Sequence, residues 1–132
     1  MGPQAFIFRL DSHSGVPVYR QLIDQVQAAI ASGTLAVGEQ LPTVRQVAVD
    51  LAINPNTVLR AYREMEIRGL LDTQQGTGTF IADKRVEYSK DEQDRKLSQL
   101  VGEFASRAGA DGFTLKQLMK ALRELEPGGD FE

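Results

Sequence analysis

The chain has 132 residues, enough for one domain with an appendage and short of two full domains. Its 15 Lys and Arg against 18 Asp and Glu give a formal net charge of -3, which argues against a strongly basic coat for nonspecific nucleic-acid binding. The absence of cysteine excludes disulfides and thiolate ligands or nucleophiles, no signal peptide is expected in the opening MGPQAFIFRLD, and no apolar run approaches the ~20 residues that span a bilayer; a soluble cytoplasmic protein without membrane contact is expected.

Phe6, Phe8 and Leu10 share one parity and Ile7 and Arg9 the other, so a short strand is expected at the start. DSHSGVPVY is a turn-rich link, and Pro17 suits the first position of a helix, where its missing N–H costs nothing. Val18, Leu22, Val26 and Ile30, joined by Ile23 and Ala29, form one apolar stripe, with Gln21, Asp24, Gln25 and Gln27 mostly off it. Gly33 supplies the stop, and Thr34 to Pro42 reads as a connector.

Thr43 opens the second helix, with Gln46 as its capping-box partner and Val44, Val47, Ala48 and Leu51 as the buried face. Ala52-Ile53 makes the turn, with Ile53 plugging the gap between helices. Asn54-Pro55 is the sharpest local signal: Asn is a preferred N-cap, and Pro is pre-set for a first helical turn. That third helix is expected to run to Arg68, stop at Gly69, and bury Val58, Ala61, Tyr62 and Met65. Asn56, Thr57, Leu59, Arg60, Arg63 and Glu64 point outward or flank the stripe. Leu70–Gln74 and Thr79–Ala82 are then two strands around Gln75-Gly76-Thr77-Gly78, whose glycines permit positive φ and close approach to a phosphate or sugar. Helix, tight turn, helix and hairpin in this order are the plan of a winged helix-turn-helix, whose second helix of the pair can enter a DNA major groove.

Asp83 to Tyr88 is a charged link, and Ser89 with Glu92 forms another capping box. Leu97, Leu100, Val101, Phe104, Ala105 and Ala108 recur at helical spacing until Gly109 to Gly112 breaks the pattern. Thr114 with Gln117 caps a last helix whose stripe is Leu115, Leu118, Met119, Leu122 and Leu125, and the tail EPGGDFE looks frayed. The expected fold is mainly α with a small β-hairpin wing: a winged helix-turn-helix domain over residues 1–83 and a two-helix dimerisation segment over 84–132. Leaving both C-terminal stripes in water would expose a patch of the kind that marks an interface. Pairing with another copy through Leu97, Leu100, Val101, Phe104, Leu115, Leu118, Met119 and Leu122 would bury it, while the alternative is that these helices fold back on the first domain.

GEQLPTVRQVAVDLAINPNTVLRAYREMEIRGLL followed by QGTGTFI resembles the winged-helix domain of GntR-type bacterial transcription regulators, over roughly residues 16–83. The NPNTV version with a tail of only two helices looks like the YtrA subfamily, whose members carry a short helical dimerisation segment in place of a full ligand-binding domain. A branch fused to an aminotransferase-like domain shares much of the motif, but this chain is too short to hold that domain. The resemblance implies that Arg45 contacts phosphate or a base edge, that Asn56 and Thr57 reach into the major groove, that Arg60 is a neighbouring basic candidate, and that Gln75, Gly76 and Thr77 form the wing tip. Thr43 and Asn54 at the helix starts and Gly78 in the hairpin complete the expected DNA-facing set. Many family members carry Arg at the position of Pro55 and Arg or Gln at that of Leu59, so no operator sequence is transferred.

Bland readings stand beside these. Arg45, Arg60, Arg63 and Arg68 are balanced within residues 40–80 by Asp50, Glu64, Glu66 and Asp72. The arginines could therefore be a solvated face paired with those acids; Arg63 is read that way. Asn54 is explained by capping alone, Asn56 and Thr57 are common helix-start types, and the glycine loop could be only a turn. It lacks the fingerprint of a nucleotide-phosphate loop. His13 is a lone surface histidine, Asp91-Glu92 with Asp94 favour a helix dipole, and nothing looks like a nucleophile–base pair. No metal, cofactor or enzyme activity is expected. The reading is a homodimeric, sequence-specific repressor binding a double-stranded DNA operator, with a winged-helix protein–protein interaction module as the rival. So small a C-terminal part offers no deep metabolite pocket, and a cleft at the dimer junction is the place left open for an effector of unknown identity.

Overall fold

Helices in this chain begin where a side-chain oxygen can accept an N–H that the first turn leaves without a partner. The Thr43 hydroxyl accepts from the Gln46 N–H before α2 (Val44–Leu51), and Asn54 from the Asn56 N–H before α3 (Pro55–Ile67). Ser89 and Thr114 open α4 (Lys90–Ala110) and α5 (Leu115–Leu125) with reciprocal capping boxes to Glu92 and Gln117. Each cap stabilises its helix by about 1 kcal/mol. α1 (Val18–Ser32) follows Pro17, which sits one position before the helix, and ends at Gly33 in the left-handed region with φ 82.

The computed structural model describes residues 6–83 and 88–126, divided between two compact units, Met1–Lys84 and Arg85–Glu132. Most of the expected charged link and of the frayed tail lies outside the described residues. In the first unit α3 packs against both α1 and α2. Leu22, Ile23 and Val26 of α1 meet Val47 of α2 and Val58, Ala61 and Met65 of α3 in one buried core. Leu41, Leu71 and Ile81 close it from the sheet side.

The sheet has three strands rather than the two of a bare hairpin. β2 (Leu71–Gln74) and β3 (Gly78–Ile81) pair antiparallel with Gln74 opposite Gly78, and β1 (Gln40–Leu41), expected to be connector, pairs with the outer side of β3. The pairing is extended by N–H bonds from Gly38 to the Ile81 carbonyl and from Ile81 to the Glu39 carbonyl, both 2.8 Å. It ties the wing to the segment that leads into α2.

The strand expected at Phe6 to Leu10 is corrected: no strand partner lies there among the described residues, and two glutamine side chains satisfy the backbone instead. The Gln25 amide accepts from the Arg9 N–H at 2.9 Å and donates to the Arg9 carbonyl at 2.7 Å, and the Gln21 amide does the same for Asp11 at 2.9 and 3.0 Å. Gln21 and Gln25 are one helical turn apart and Arg9 and Asp11 two residues apart, so α1 presents an amide ladder to an extended chain. The alternation was real, since Phe8 is buried and Phe6 packs edge-on against it at 4.9 Å, but its hydrogen bonds come from side chains. Two smaller corrections follow. The Thr43 box is half made: the Gln46 side chain accepts no bond from the Thr43 N–H and instead donates to Asp50 at 2.8 Å. Gly109 lies inside α4, which ends only at Ala110 with Asp111 as its C-cap.

The second unit is α4 and α5, joined through Asp111 and Gly112, the latter at φ 88. The Ala108 carbonyl accepts N–H bonds from Asp111 and Phe113, closing the turn. Ala108 is the buried hydrophobic of this unit among the described residues, with Ala105 and Leu118 half-buried. Among the described residues no helix is long and apolar enough to cross a membrane.

Candidate nucleic-acid interface

The turn between α2 and α3 is set by Ala52, the one non-glycine residue with positive φ (54) among those described. Its small Cβ tolerates a conformation that costs roughly 1–2 kcal/mol for an L-residue. The Ile53 N–H donates to the Ala48 carbonyl at 3.0 Å, and the half-buried Ile53 side chain packs against the core as the expected plug. Asn54 Oδ1 then takes the Asn56 N–H at 2.8 Å, and Pro55 is the first helical residue. From the inner face of α3, the Tyr62 hydroxyl donates to the Pro42 carbonyl just ahead of α2. Burial raises the Tyr62 pKa above its ordinary value, so the hydroxyl stays a donor. These contacts fix α3 against α2 and leave its first turn in solvent.

On the outer side of α3, Asn56 and Arg60 line one shallow groove with Leu59, Arg63, Glu64 and Ile67. Asn56 is exposed and Thr57, a step around the helix, is half-buried. The Arg60 guanidinium lies over the Tyr19 ring of α1, 3.8 Å from the centroid. Arg45 stands exposed on the second position of α2. Two of the acids that could have neutralised these arginines have other partners: Asp50 takes the Gln46 amide, and Glu64 pairs with Arg68 at 3.0 Å. Arg63, expected on a solvated face paired with flanking acids, is exposed as expected, but the pairing is corrected: it makes no ion pair among the described residues. Among the described residues Arg45, Arg60 and Arg63 make no ion pair, so a region with balanced charge presents unneutralised cations.

At the wing, the Thr77 N–H bonds to the Gln74 carbonyl at 2.9 Å across a turn that holds Gly76 at φ 80. Gln75, Gly76 and Thr77 are exposed and Gly78 half-buried. Gly78 has φ 143, and a Cβ there would fall 2.3 Å from Gln40 Nε2, which donates to the Thr77 carbonyl at 3.2 Å. The wing tip therefore depends on Gln40 of β1, which sequence reasoning missed; a two-residue strand is too short to show a period. Thr43 and Asn54 sit at the helix starts, their acceptors committed to capping.

The expected dimerisation residues form an apolar surface on the second unit. Leu97, Leu100, Val101 and Phe104 on α4 and Leu115, Met119 and Leu122 on α5 are each between 45% and 64% exposed. Leu118 is half-buried.

Residues 18–81 match the family described as bacterial regulatory proteins, gntR family. The chain is 33% identical over 116 residues to the HTH-type transcriptional regulator YhcF of Bacillus subtilis, covering 88% of this chain and 95% of that protein. It is 29% identical over 119 residues to the HTH-type transcriptional repressor YtrA of the same organism, covering 90% and 92%. A crystal structure described as a transcriptional antiterminator from Listeria monocytogenes superposes with a TM-score of 0.67 at 25% identity, covering 98% of this chain and 96% of that one.

Proposed function

The chain belongs to the gntR family of bacterial regulatory proteins and is a DNA-binding transcription regulator, and on that premise we propose that it acts as a homodimeric repressor. The observation that carries the reading is the solvent-facing first turn of α3, flanked by arginines that the protein's own acids leave unneutralised. Asn56 and Thr57 would meet base edges, Arg45 and Arg60 phosphate or guanine, and Gln75 to Thr77 the adjacent minor groove or its phosphates. The N-terminus of α2 would add backbone N–H donors to phosphate, whereas the first turn of α3 has none to offer: Pro55 lacks an N–H, and those of Asn56 and Thr57 bond to Asn54.

Homodimerisation is supported by the apolar faces of α4 and α5, which the two helices do not cover for each other. Two copies joined there would form a small bundle and present two recognition helices to half-sites about 34 Å apart. Repression fits the name of the similar YtrA and a simple steric route, occupation of promoter DNA. A small-molecule effector, if the protein has one, belongs in a cleft of that dimer junction.

Transcription in vitro from a promoter upstream of the protein's own gene, over which it protects the DNA, tests the reading. Transcript should fall as protein is added; a rise would make the protein an activator. Sedimentation of the free protein should give twice the chain mass, and a monomer at micromolar concentration would remove the dimer.

A further inference from the structure

We propose that Tyr19 is a positioning residue for DNA readout: its ring holds the Arg60 guanidinium in place over the outer face of α3, so that the arginine meets DNA already oriented. The proposal rests on the assignment of that face to DNA and adds to it a residue from outside the helix-turn-helix.

Arginine carries about 2 kcal/mol of rotamer entropy, part of which is lost when it must be ordered on binding. Arg60 is exposed, yet its Cζ lies 3.8 Å from the centroid of the Tyr19 ring. That ring is a firm platform, because Tyr19 is half-buried and packed against the core of the first unit. Stacking engages the flat face of the guanidinium and leaves the N–H donors at its edge, and Arg60 makes no hydrogen bond or ion pair among the described residues. The donor edge is thus unoccupied while the group is held. Asn56, one helical turn earlier, lines the same groove, so an amide and a fixed guanidinium stand side by side. Arg45 and Arg63 have no aromatic platform among the described residues, which sets Arg60 apart as the pre-oriented cation.

A purely structural staple between α1 and α3 would show the same contact, so the test must read DNA preference as well as stability. Full-length wild-type chain is used to enrich duplexes from a random-sequence pool, and the best of these serve as probes for Tyr19→Phe, Tyr19→Leu, Arg60→Ala and the double variant Tyr19→Leu/Arg60→Ala. Thermal melts set the folded fraction of each. Tyr19→Phe keeps the ring and should match wild type. Tyr19→Leu should lower affinity about two- to fivefold and relax the same base positions as Arg60→Ala. The double variant should bind no more weakly than Arg60→Ala alone. Tyr19→Met, closer in length, replaces Tyr19→Leu if the latter melts below the assay temperature. Wild-type affinity and base preference in the ring-less variant, or losses that multiply in the double variant, would overturn the positioning role alone. A wild-type chain that enriches no sequence, or an Arg60→Ala chain that binds as wild type, would instead overturn the readout assigned to this face.

Discussion

The two units carry the same sequence signal and resolve it differently. In the first, the stripes of α1, α2 and α3 meet one another, and Leu22, Ile23, Val26, Val58 and Met65 lose all contact with solvent. In the second, stripes of equal regularity leave Leu100, Val101, Leu115 and Met119 at least half exposed. An amphipathic period says that a face must be covered, and says nothing about which chain covers it. Three helices around a small sheet can enclose a core within one chain; two helices cannot.

Substitutions can break that contrast, and core truncation should have the largest effect. Met65→Ala should cost about 2–5 kcal/mol in chemical denaturation, independent of protein concentration. A mild or concentration-dependent loss there would mean that the first unit is not self-sufficient. Leu118→Asp combined with Leu122→Asp should leave that stability intact, yield monomers by sedimentation, and weaken operator binding roughly a hundredfold through loss of the linked second site. An intact dimer would move the interface elsewhere.

Caps sharpen the comparison, because one kind of loss falls in each unit. Asn54→Ala should cost about 1 kcal/mol and weaken DNA binding as well, by loosening the first turn of α3. Ser89→Ala should cost a similar amount in α4 while the DNA affinity of the dimer is retained. Equal effects of the two on binding would blur the division of labour. The smallest effect expected is that of Tyr62→Phe, about 1 kcal/mol from the hydroxyl bond to the Pro42 carbonyl. Burial raises the pKa of Tyr62 in the folded state, so its contribution is fully present below the ordinary tyrosine value of about 10 and fades as pH rises above it. Melting curves of the Phe variant should lose less stability than wild type in that alkaline range.

Much of the first unit was legible because local chemistry decides it. Asn54-Pro55, Thr43 and Gly33 each end or begin a helix by hydrogen bonds or dihedrals within a few residues, and the buried set of α3 follows from its period. What was not legible depends on partners far along the chain. Gln40-Leu41 becomes a strand only because β3 lies beside it, and residues 6–10 find no strand partner among the described residues, the Arg9 backbone being taken by the Gln25 side chain. At the interface, the residue types at the start of α3 and the wing tip could be named in advance. Which arginines remain unpaired could not, since Asp50 and Glu64 choose other partners in three dimensions. The Tyr19 platform under Arg60 joins two helices and leaves no local trace.

Backbone amide resonances followed by NMR during titration with the duplex that the protein protects offer the most direct check of the DNA-facing surface. The largest shifts should fall at Asn56, Thr57 and Arg60, with a second group at Gly76 and Thr77. Shifts confined to residues 90–125, with the start of α3 unmoved, would contradict the account.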